Sequence, residues 1–268
     1  MTTIKAACIQ MDISHCVKQA NIDKAISMAE DAASEGVKLI VLPEVFPTGF
    51  CYDTIEDVAE YAPYPTIKKL SGFSKKHDCI IIGSIIERQA TDKESHAYYN
   101  LGFCIESGHL AGMYRKTHPF GMEKSYFSSG DTILPINLKK HDITIGLEIC
   151  YELRFPEVAR KLTLAGANIL VTIAEFPDPK ANHWRFLATS RAIENQIPHI
   201  ACNRMGKDPY SSFFGGSLII DAWGEVKAEA GKNECIIMHE INLDETKKIR
   251  SSVPLFEDRR PDLYFTKL

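Results

Sequence analysis

The sequence lacks the features that mark most nucleic-acid-binding, membrane-bound and cofactor-dependent proteins. It has no basic run, and its net charge of −4 at pH 7 disfavours nucleic acid or an anionic membrane surface as the main partner. No apolar stretch reaches the length that spans a membrane. Neither a G-x-G-x-x-G fingerprint nor a Walker-type loop is present, and no cysteine–histidine spacing fits a zinc site. We therefore expect a protein that needs no metal, nucleotide or other cofactor.

Cysteine occurs eight times, but its spacing shows no C-x-x-C motif or other pairing pattern. Most of the cysteines lie in apolar strand-like runs, where a free thiol behaves as a small hydrophobic side chain. Seven are predicted to be core residues that stay reduced in a cytosol-like compartment: Cys8, Cys16, Cys51, Cys79, Cys104, Cys202 and Cys235. The N-terminus enters a strand pattern at Ile4 without the apolar segment of a signal peptide, so we predict a cytoplasmic protein.

The chain alternates between strand-like and helix-like segments along its whole length. Its 268 residues, 45% hydrophobic and 25% charged, are ordinary for a globular protein with a full core. Strands are predicted over residues 4–10, 37–42, 79–88, 98–106, 110–115, 143–149, 168–174, 199–205, 216–222 and 235–241, and helices over 21–35, 66–77, 155–165 and 184–195. The strands between 79 and 115 leave no room for crossover helices, which predicts antiparallel hairpins. The pattern predicts one α/β domain over residues 1–268, with mixed sheets covered by helices.

Cys150 stands at the corner between a predicted strand and a predicted helix. The apolar run 143–149 precedes it, and Pro156 follows near the start of the helix. A thiol at such a corner projects out of the sheet, and the nearby backbone N–H groups favour the thiolate over the thiol. Because most free cysteines are inert core residues, Cys150 becomes a candidate nucleophile only if a base and a cation accompany it.

Two charged side chains directly follow other predicted strands. The strand at 37–42 leads through Pro43 to Glu44, and the strand at 110–115 leads to Lys116. Because α/β proteins place ligands at the carboxyl ends of strands, these side chains are expected to meet Cys150. Taken singly, each is more commonly a surface charge or a helix cap. The combination of a carboxylate, an ammonium group and a thiol at three strand ends indicates covalent catalysis by Cys150.

Three segments around these residues resemble the signature segments of the nitrilase superfamily of carbon–nitrogen hydrolases. They are LPEVFPTGF at 42–50, YRKTHPF at 114–120 and GLEICYELRFPE at 146–157. Further matches are HW at 183–184, RAIENQ at 191–196, GSLIID at 216–221 and RRPDLY at 259–264. The resemblance covers essentially the whole chain, in the family's order and spacing.

The resemblance implies a chemical role for each member of the set. Glu44 would be the general base, Lys116 the cation at the developing oxyanion and Cys150 the nucleophile. Many members carry a further glutamate after the lysine, and Glu123 is the only carboxylate between positions 116 and 131. Together with Lys116, the backbone N–H of Tyr151 would hold the tetrahedral oxyanion. These assignments describe hydrolysis of an amide through a thioester on Cys150, with release of ammonia.

The resemblance also implies a fold, an assembly and a substrate class. The fold would be a four-layer α-β-β-α sandwich that pairs face to face into a homodimer or a larger assembly. Within the family, the segment around Cys150 is typical of small-acid amidases. The segments at 174–179 and 201–203 are similar to bacterial ω-amidases, which hydrolyse the terminal amide of 2-oxo acids such as 2-oxoglutaramate. The expected partners are therefore a small-molecule amide, water and a second copy of the chain.

The sequence is also compatible with other activities, and several candidate pocket residues have alternative roles. An aliphatic amidase, a deaminated-glutathione amidase, an N-carbamoyl hydrolase or a nitrilase would keep the catalytic residues, whereas a non-catalytic binding protein would be expected to have lost one. An anionic substrate needs a cation, for which Arg154 is a candidate, although an ion pair with Glu152 or Glu157 is the alternative. The candidate pocket walls, each equally compatible with core packing, are Phe50, Phe120, Phe176 and Trp184.

Overall fold

The computed structural model describes residues 3–91 and 96–264. The strands in these ranges are β1 (Thr3–Gln10), β2 (Leu39–Val41), β3 (Ile80–Ala90), β4 (His96–Glu106), β5 (His109–Arg115), β6 (Ile136–Leu138), β7 (Ile143–Ile149), β8 (Ile169–Ala174), β9 (His199–Asn203), β10 (Met205–Lys207), β11 (Ser212–Phe214), β12 (Leu218–Ile220), β13 (Val226–Glu229) and β14 (Cys235–Asn242). The helices are α1 (Lys18–Ser34), α2 (Ile55–Val58), α3 (Pro65–His77), α4 (Glu123–Tyr126), α5 (Pro156–Leu164), α6 (Ala181–Asn195), α7 (Glu245–Ser252) and α8 (Pro261–Tyr264). A 3₁₀ segment spans Cys150–Arg154, between β7 and α5.

The strands form two six-stranded mixed sheets and one short hairpin of β10 and β11. The first sheet has the order β14-β1-β2-β3-β4-β5, and β2 pairs in parallel with both β1 and β3. The second sheet has the order β13-β12-β9-β8-β7-β6, and β8 pairs in parallel with both β7 and β9. The predicted hairpins are confirmed, because β4 pairs antiparallel with both β3 and β5.

The two sheets pack face to face, and helices cover their outer surfaces. Cys8 and Val41 of the first sheet share a buried cluster with Leu147 and Val171 of the second. Alternate residues such as Ile40 point to the other side and join a second cluster with α1 and α3. A third cluster joins α5 to the outer face of β8. The arrangement is the four-layer α-β-β-α sandwich that the family resemblance implies, and the α/β prediction is confirmed.

The sequence pattern does not predict the short edge strands or the C-terminal helices. Strands β6, β10, β11 and β13 have only three or four residues, too few to show an alternating pattern. Helix α7 buries only Thr246 and Ile249. The helix predicted over 155–165 begins at Pro156, and Cys150–Arg154 form the separate 3₁₀ segment before it. No helix in the described ranges has both the length and the apolar character to cross a membrane.

Cys16 and Cys51 form a disulfide, so the prediction of reduced core cysteines is wrong for this pair. The bond joins the loop after β1 to the loop after β2, with Cα atoms 5.6 Å apart and a separation of 35 positions in sequence. Local spacing cannot reveal such a pair, because tertiary packing brings the two loops together. His15 also lies close to both sulfur atoms, and these three residues are the one group of potential metal ligands in the described ranges. The six other cysteines are free.

Candidate active site

Three strand ends from the two sheets converge on a buried group of charged side chains. Glu44 lies shortly after β2, Lys116 directly follows β5 and Cys150 directly follows β7. Lys116 Nζ is 2.8 Å from Glu44 Oε1, and both charges act on the Cys150 thiol. The structure therefore brings the predicted base, cation and nucleophile together.

Glu44 is fully buried, and its carboxylate accepts hydrogen bonds from three donors. Lys116 Nζ and Asn100 Nδ2 donate to Oε1 at 2.8 and 2.7 Å. The backbone N–H of Glu175, the first residue after β8, donates to Oε2 at 2.8 Å. The following residue, Val45, has a left-handed φ of 36°. Its backbone N–H donates a hydrogen bond to a side-chain hydroxyl of strand β3. These contacts fix the orientation of the carboxylate at the end of its strand.

Lys116 is 1% exposed and lies between two carboxylates. Its Nζ donates to both oxygens of Glu123 at 2.8 Å, in addition to Glu44. Burial alone would lower the pKa of this ammonium group, but the charges of Glu123 and Glu44 outweigh burial and hold the pKa well above its usual value. Burial raises the pKa of Glu123 to about 7, although the charge of Lys116 opposes the rise. Lys116 therefore remains a cation across the neutral range.

Cys150 adopts a backbone conformation that few residues other than glycine adopt, with φ at 50°. Cys150 lies at the sharp turn between β7 and the 3₁₀ segment and lines a cavity. Burial raises the pKa of the thiol well above its usual value, and the Glu44 carboxylate adds to the rise while Lys116 opposes it. The expectation of a favoured thiolate is therefore wrong for the resting site. The thiol holds its proton and needs a base at the moment of attack.

Glu152 holds the corner that carries the nucleophile. Its Oε1 accepts hydrogen bonds from the Tyr114 hydroxyl at 2.6 Å and from the Thr117 N–H and hydroxyl at 2.7 and 2.6 Å. Its Oε2 accepts the backbone N–H of Ile149 at 2.8 Å. Burial would raise the pKa of Glu152, but the His118 side chain 3.7 Å away and the hydrogen bonds from these donors outweigh burial and lower the pKa. Glu152 thus ties the Cys150 turn to the strand end that carries Lys116.

A cavity of about 240 Å³ opens at Cys150. Its walls include the aromatic side chains Phe50, Tyr52, Phe120, Tyr210 and Phe213 and the acidic residues Glu123, Glu175 and Asp208. A larger depression of about 600 Å³ lies beside β5 and residues 130–139, but none of the predicted catalytic side chains lines it. We place the site at the smaller cavity because the nucleophile lies in its wall.

The predicted pocket residues divide into two groups. Phe50 and Phe120 line the cavity. Phe176 and Trp184 are buried in the core, with ring centroids 5.3 Å apart, and the Trp184 indole N–H donates to a backbone carbonyl. The Arg154 guanidinium lies 5.2 Å from the Phe176 ring centroid and forms no ion pair within the described part of the chain. Arg154 is not in the cavity wall, so the expected cation for a substrate carboxylate has to be found elsewhere.

Three residues beside the buried charged group are not predicted from the sequence. Asn100 lies inside β4, where an inward-facing amide leaves no local mark in the sequence. Glu175 and Arg204 directly follow β8 and β9. Glu175 directly follows the strand predicted over 168–174, so the strand-end signal that identifies Glu44 and Lys116 would have found it. Arg204 falls inside the strand predicted over 199–205, which ends earlier in the structure, so the same signal would have missed it.

The arrangement suits the transfer of an acyl group to Cys150. A protonated thiol lies beside a fixed carboxylate that can accept its proton. A permanently charged ammonium group lies beside both, where it can stabilise negative charge on a carbonyl oxygen. Tyr151 follows the nucleophile in the first turn of the 3₁₀ segment, where backbone N–H groups lack partners within the helix. These are the components of covalent catalysis on an amide-like carbon.

A family model, curated sequences and solved structures that resemble this chain are all carbon-nitrogen hydrolases or amidases. The family model of the carbon-nitrogen hydrolases matches residues 5–251. A 2-oxoglutaramate amidase from Bacillus subtilis is 39% identical over 96% of this chain and 98% of its own length. An omega-amidase from Homo sapiens is 32% identical over 100% of this chain and 99% of its own. The crystal structure of a carbon-nitrogen hydrolase from Helicobacter pylori is 30% identical, with a TM-score of 0.90, and covers 98% of this chain and 97% of its own. The chain therefore belongs to the carbon-nitrogen hydrolase family.

Proposed function

We propose that this enzyme is a cysteine-dependent amidase that hydrolyses the terminal amide of a small 2-oxo acid, with 2-oxoglutaramate as the first substrate to test. The contacts of Lys116 carry the proposal. Its Nζ lies 2.8 Å from both Glu44 and Glu123, in a buried charged group whose Glu123 lines the same cavity as Cys150. The names of the relatives from Bacillus subtilis and Homo sapiens support the substrate class.

In the first half of the reaction, Cys150 Sγ attacks the amide carbon and Glu44 takes the thiol proton. The carbonyl oxygen gains negative charge, which Lys116 Nζ and the Tyr151 N–H stabilise by about 3 kcal/mol per well-placed donor. Glu44 then passes the proton to the nitrogen as the C–N bond breaks. Ammonia leaves, and the acyl group remains on the sulfur as a thioester.

In the second half, water enters where ammonia has left. Glu44 takes a proton from this water as its oxygen attacks the thioester carbon, and the same donors stabilise the second oxyanion. The C–S bond breaks, the thiolate recovers its proton, and the carboxylic acid product leaves. Glu123 takes no proton in either half and keeps Lys116 in place between two negative charges.

Ammonia release over a panel of compounds tests the proposal. The panel contains 2-oxoglutaramate, simple aliphatic amides, N-carbamoyl acids and nitriles. We expect 2-oxoglutaramate to give the highest kcat/KM, and Cys150→Ala and Cys150→Ser to release no ammonia while keeping the circular dichroism spectrum of the wild type. Mass spectrometry of the wild type under turnover should show an acyl adduct on Cys150. Turnover of a carbamoyl compound without turnover of 2-oxoglutaramate would reject the substrate class, and an active Cys150→Ala would reject the mechanism.

We further propose that the enzyme is a cytoplasmic homodimer that pairs through the helix layer of the second sheet. Phe186 and Ile193 lie two turns apart on α6 and are 66% and 51% exposed, which is unusual for large apolar side chains. Trp223 is 53% exposed, and the next residue, Gly224, lies against Ile193. Light scattering after gel filtration should give twice the chain mass. Phe186→Glu should yield the monomer, and a monomeric wild type would reject this assembly.

A further inference from the structure

Glu175 is a buried carboxyl group whose oxygens lack hydrogen-bond partners in the described part of the chain. The side chain is 1% exposed and lines the same cavity as Cys150. Its backbone N–H donates a hydrogen bond to Glu44 Oε2, so Glu175 lies next to the proposed base. A buried carboxyl group whose one charged contact, Arg204 Nη1 at 3.3 Å, makes no well-directed hydrogen bond is uncommon and leaves oxygens available to a ligand in the cavity.

Arg204 is the second incompletely bonded group at this position. Its side chain is fully buried, with Nε 3.3 Å from the Met205 carbonyl and Nη2 2.8 Å from the Ile13 carbonyl. Nη1 has no hydrogen-bond partner among the described residues and lies 3.3 Å from Glu175 Oε1. The guanidinium packs 4.3 Å from the ring centroid of Phe213, which lines the cavity. Nη1, which makes ion-pair contacts but no hydrogen bond, therefore lies beside Glu175 and Phe213 in the cavity wall.

The charges at this end of the cavity leave two donors available. Burial raises the pKa of Glu175 to about 8, although the charge of Arg204 opposes the rise, so at neutral pH the group is a carboxylic acid that can donate. Asp208 Oδ2 is 3.9 Å from Arg204 Nη1 and Asp12 Oδ1 is 3.6 Å from Nη2, while Asp208 Oδ1 accepts the backbone N–H groups of Tyr210 and Ser211. No lysine or arginine is among the described residues that line the cavity itself.

We propose that Arg204 Nη1 and the Glu175 carboxyl group form the subsite for the carboxylate end of the amide substrate. This inference rests on the proposed function and names the groups that select a 2-oxo acid over a neutral amide. The substrate carboxylate completes the bonding of both groups, with the guanidinium supplying the charge and Glu175 a second hydrogen bond. The amide at the other end of a short carbon chain then reaches Cys150.

A matched pair of amides tests the subsite. 2-Oxoglutaramate carries the carboxylate, and pentanamide has the same chain length without the oxo acid. We expect Glu175→Met to lower the ratio of kcat/KM for 2-oxoglutaramate over pentanamide by about tenfold or more, because it removes a donor for the carboxylate. Glu175→Gln keeps an N–H donor and should hold the ratio within about threefold of the wild type. Lys207→Met removes an exposed charge three residues after Arg204 and serves as the control, with an unchanged ratio.

A binding measurement separates failure of the subsite from failure of the proposed function. Calorimetry on Cys150→Ala should show 2-oxoglutaramate binding more tightly than pentanamide, which has no carboxylate, with the preference lost when Glu175→Met or Arg204→Lys is added. This readout does not depend on catalysis, and melting temperatures identify a variant that fails to fold. An equal loss on both amides would overturn the subsite and make Glu175 a positioning residue for Glu44. Preference for an amide with an ammonium end, lost in Glu175→Gln, would also overturn it. A wild type that binds 2-oxoglutaramate at this subsite but hydrolyses no 2-oxo acid amide rejects only the proposed function.

Discussion

Glu44 and Glu123 both contact Lys116, yet their surroundings give them different tasks. Glu44 receives two further hydrogen bonds, from Asn100 and from the backbone N–H of Glu175. Glu123 presents both oxygens to Lys116, and burial raises its pKa to about 7. Protonation of Glu123 near neutral pH would therefore remove one of the two negative charges that hold Lys116.

Glu123→Gln tests this division of tasks. In the wild type, kcat should fall as the pH drops below about 7, because Glu123 becomes protonated and no longer anchors Lys116 as an anion. Glutamine does not titrate, so the variant should lose this acidic limb and show a kcat lower by on the order of tenfold to a hundredfold at pH 8. The measurement is ammonia release against pH for both proteins. If the acidic limb of the pH profile has the same midpoint in Glu123→Gln as in the wild type, a group other than Glu123 is responsible for that limb.

Among the elements, the ends of strands carry the part of the site that the sequence predicts. Glu44, Lys116 and Cys150 each follow an apolar run, and that pattern is local and easily recognised. Asn100 lies inside a strand, and its role depends on a partner 56 residues away in sequence. The layers of the fold follow from strand and helix periodicity together with the family resemblance. Contacts between distant segments cannot be predicted from this periodicity, because no single segment contains both partners.

The disulfide between the loops after β1 and β2 is such a contact. We expect the oxidised protein, unfolded in guanidinium, to show the six thiols of its free cysteines and all eight after reduction. Because the bond closes a loop of 35 residues, reduction should lower the free energy of unfolding by about 4 kcal/mol. Cys16→Ser should be equally destabilised and should not respond to the reductant. Eight free thiols in protein handled without reductant would show that the pair is reduced, as is usual in a reducing cytosol.

At the scale of the whole molecule, the four layers exclude water from several acidic groups as well as from apolar side chains. Glu123, Glu148 and Glu175 are all buried, and burial raises the pKa of each one above its usual value. Glu123 and Glu175 line the cavity. Glu123 contacts Lys116, and Glu175 is the group proposed to bind a ligand. Glu148 lies in β7 under the nucleophile, with Thr172 donating to Oε2 at 3.1 Å and no partner among the described residues for Oε1.

Glu148 should therefore make the stability of the whole fold depend on pH. Burial raises its pKa to about 8, against the opposing charge of Arg191, so the folded state binds this proton more tightly than the unfolded chain does. The stabilisation of the fold by the proton on Glu148 is complete below the unfolded pKa of about 4.5. This stabilisation is lost as the pH rises through about 8. The largest slope that one such proton can produce is about 1.4 kcal/mol per pH unit.

Glu148→Gln removes this proton while keeping an acceptor for Thr172. Between about pH 6 and pH 8, the free energy of unfolding of the variant should rise relative to that of the wild type, because only the wild type loses the Glu148 contribution. Urea unfolding of both proteins at several pH values measures the difference. Glu157→Gln, at the exposed start of α5, is the control and should follow the wild type throughout. Parallel curves for Glu148→Gln and the wild type would mean that Glu148 is already ionised at pH 6, stabilised by contacts that outweigh its burial.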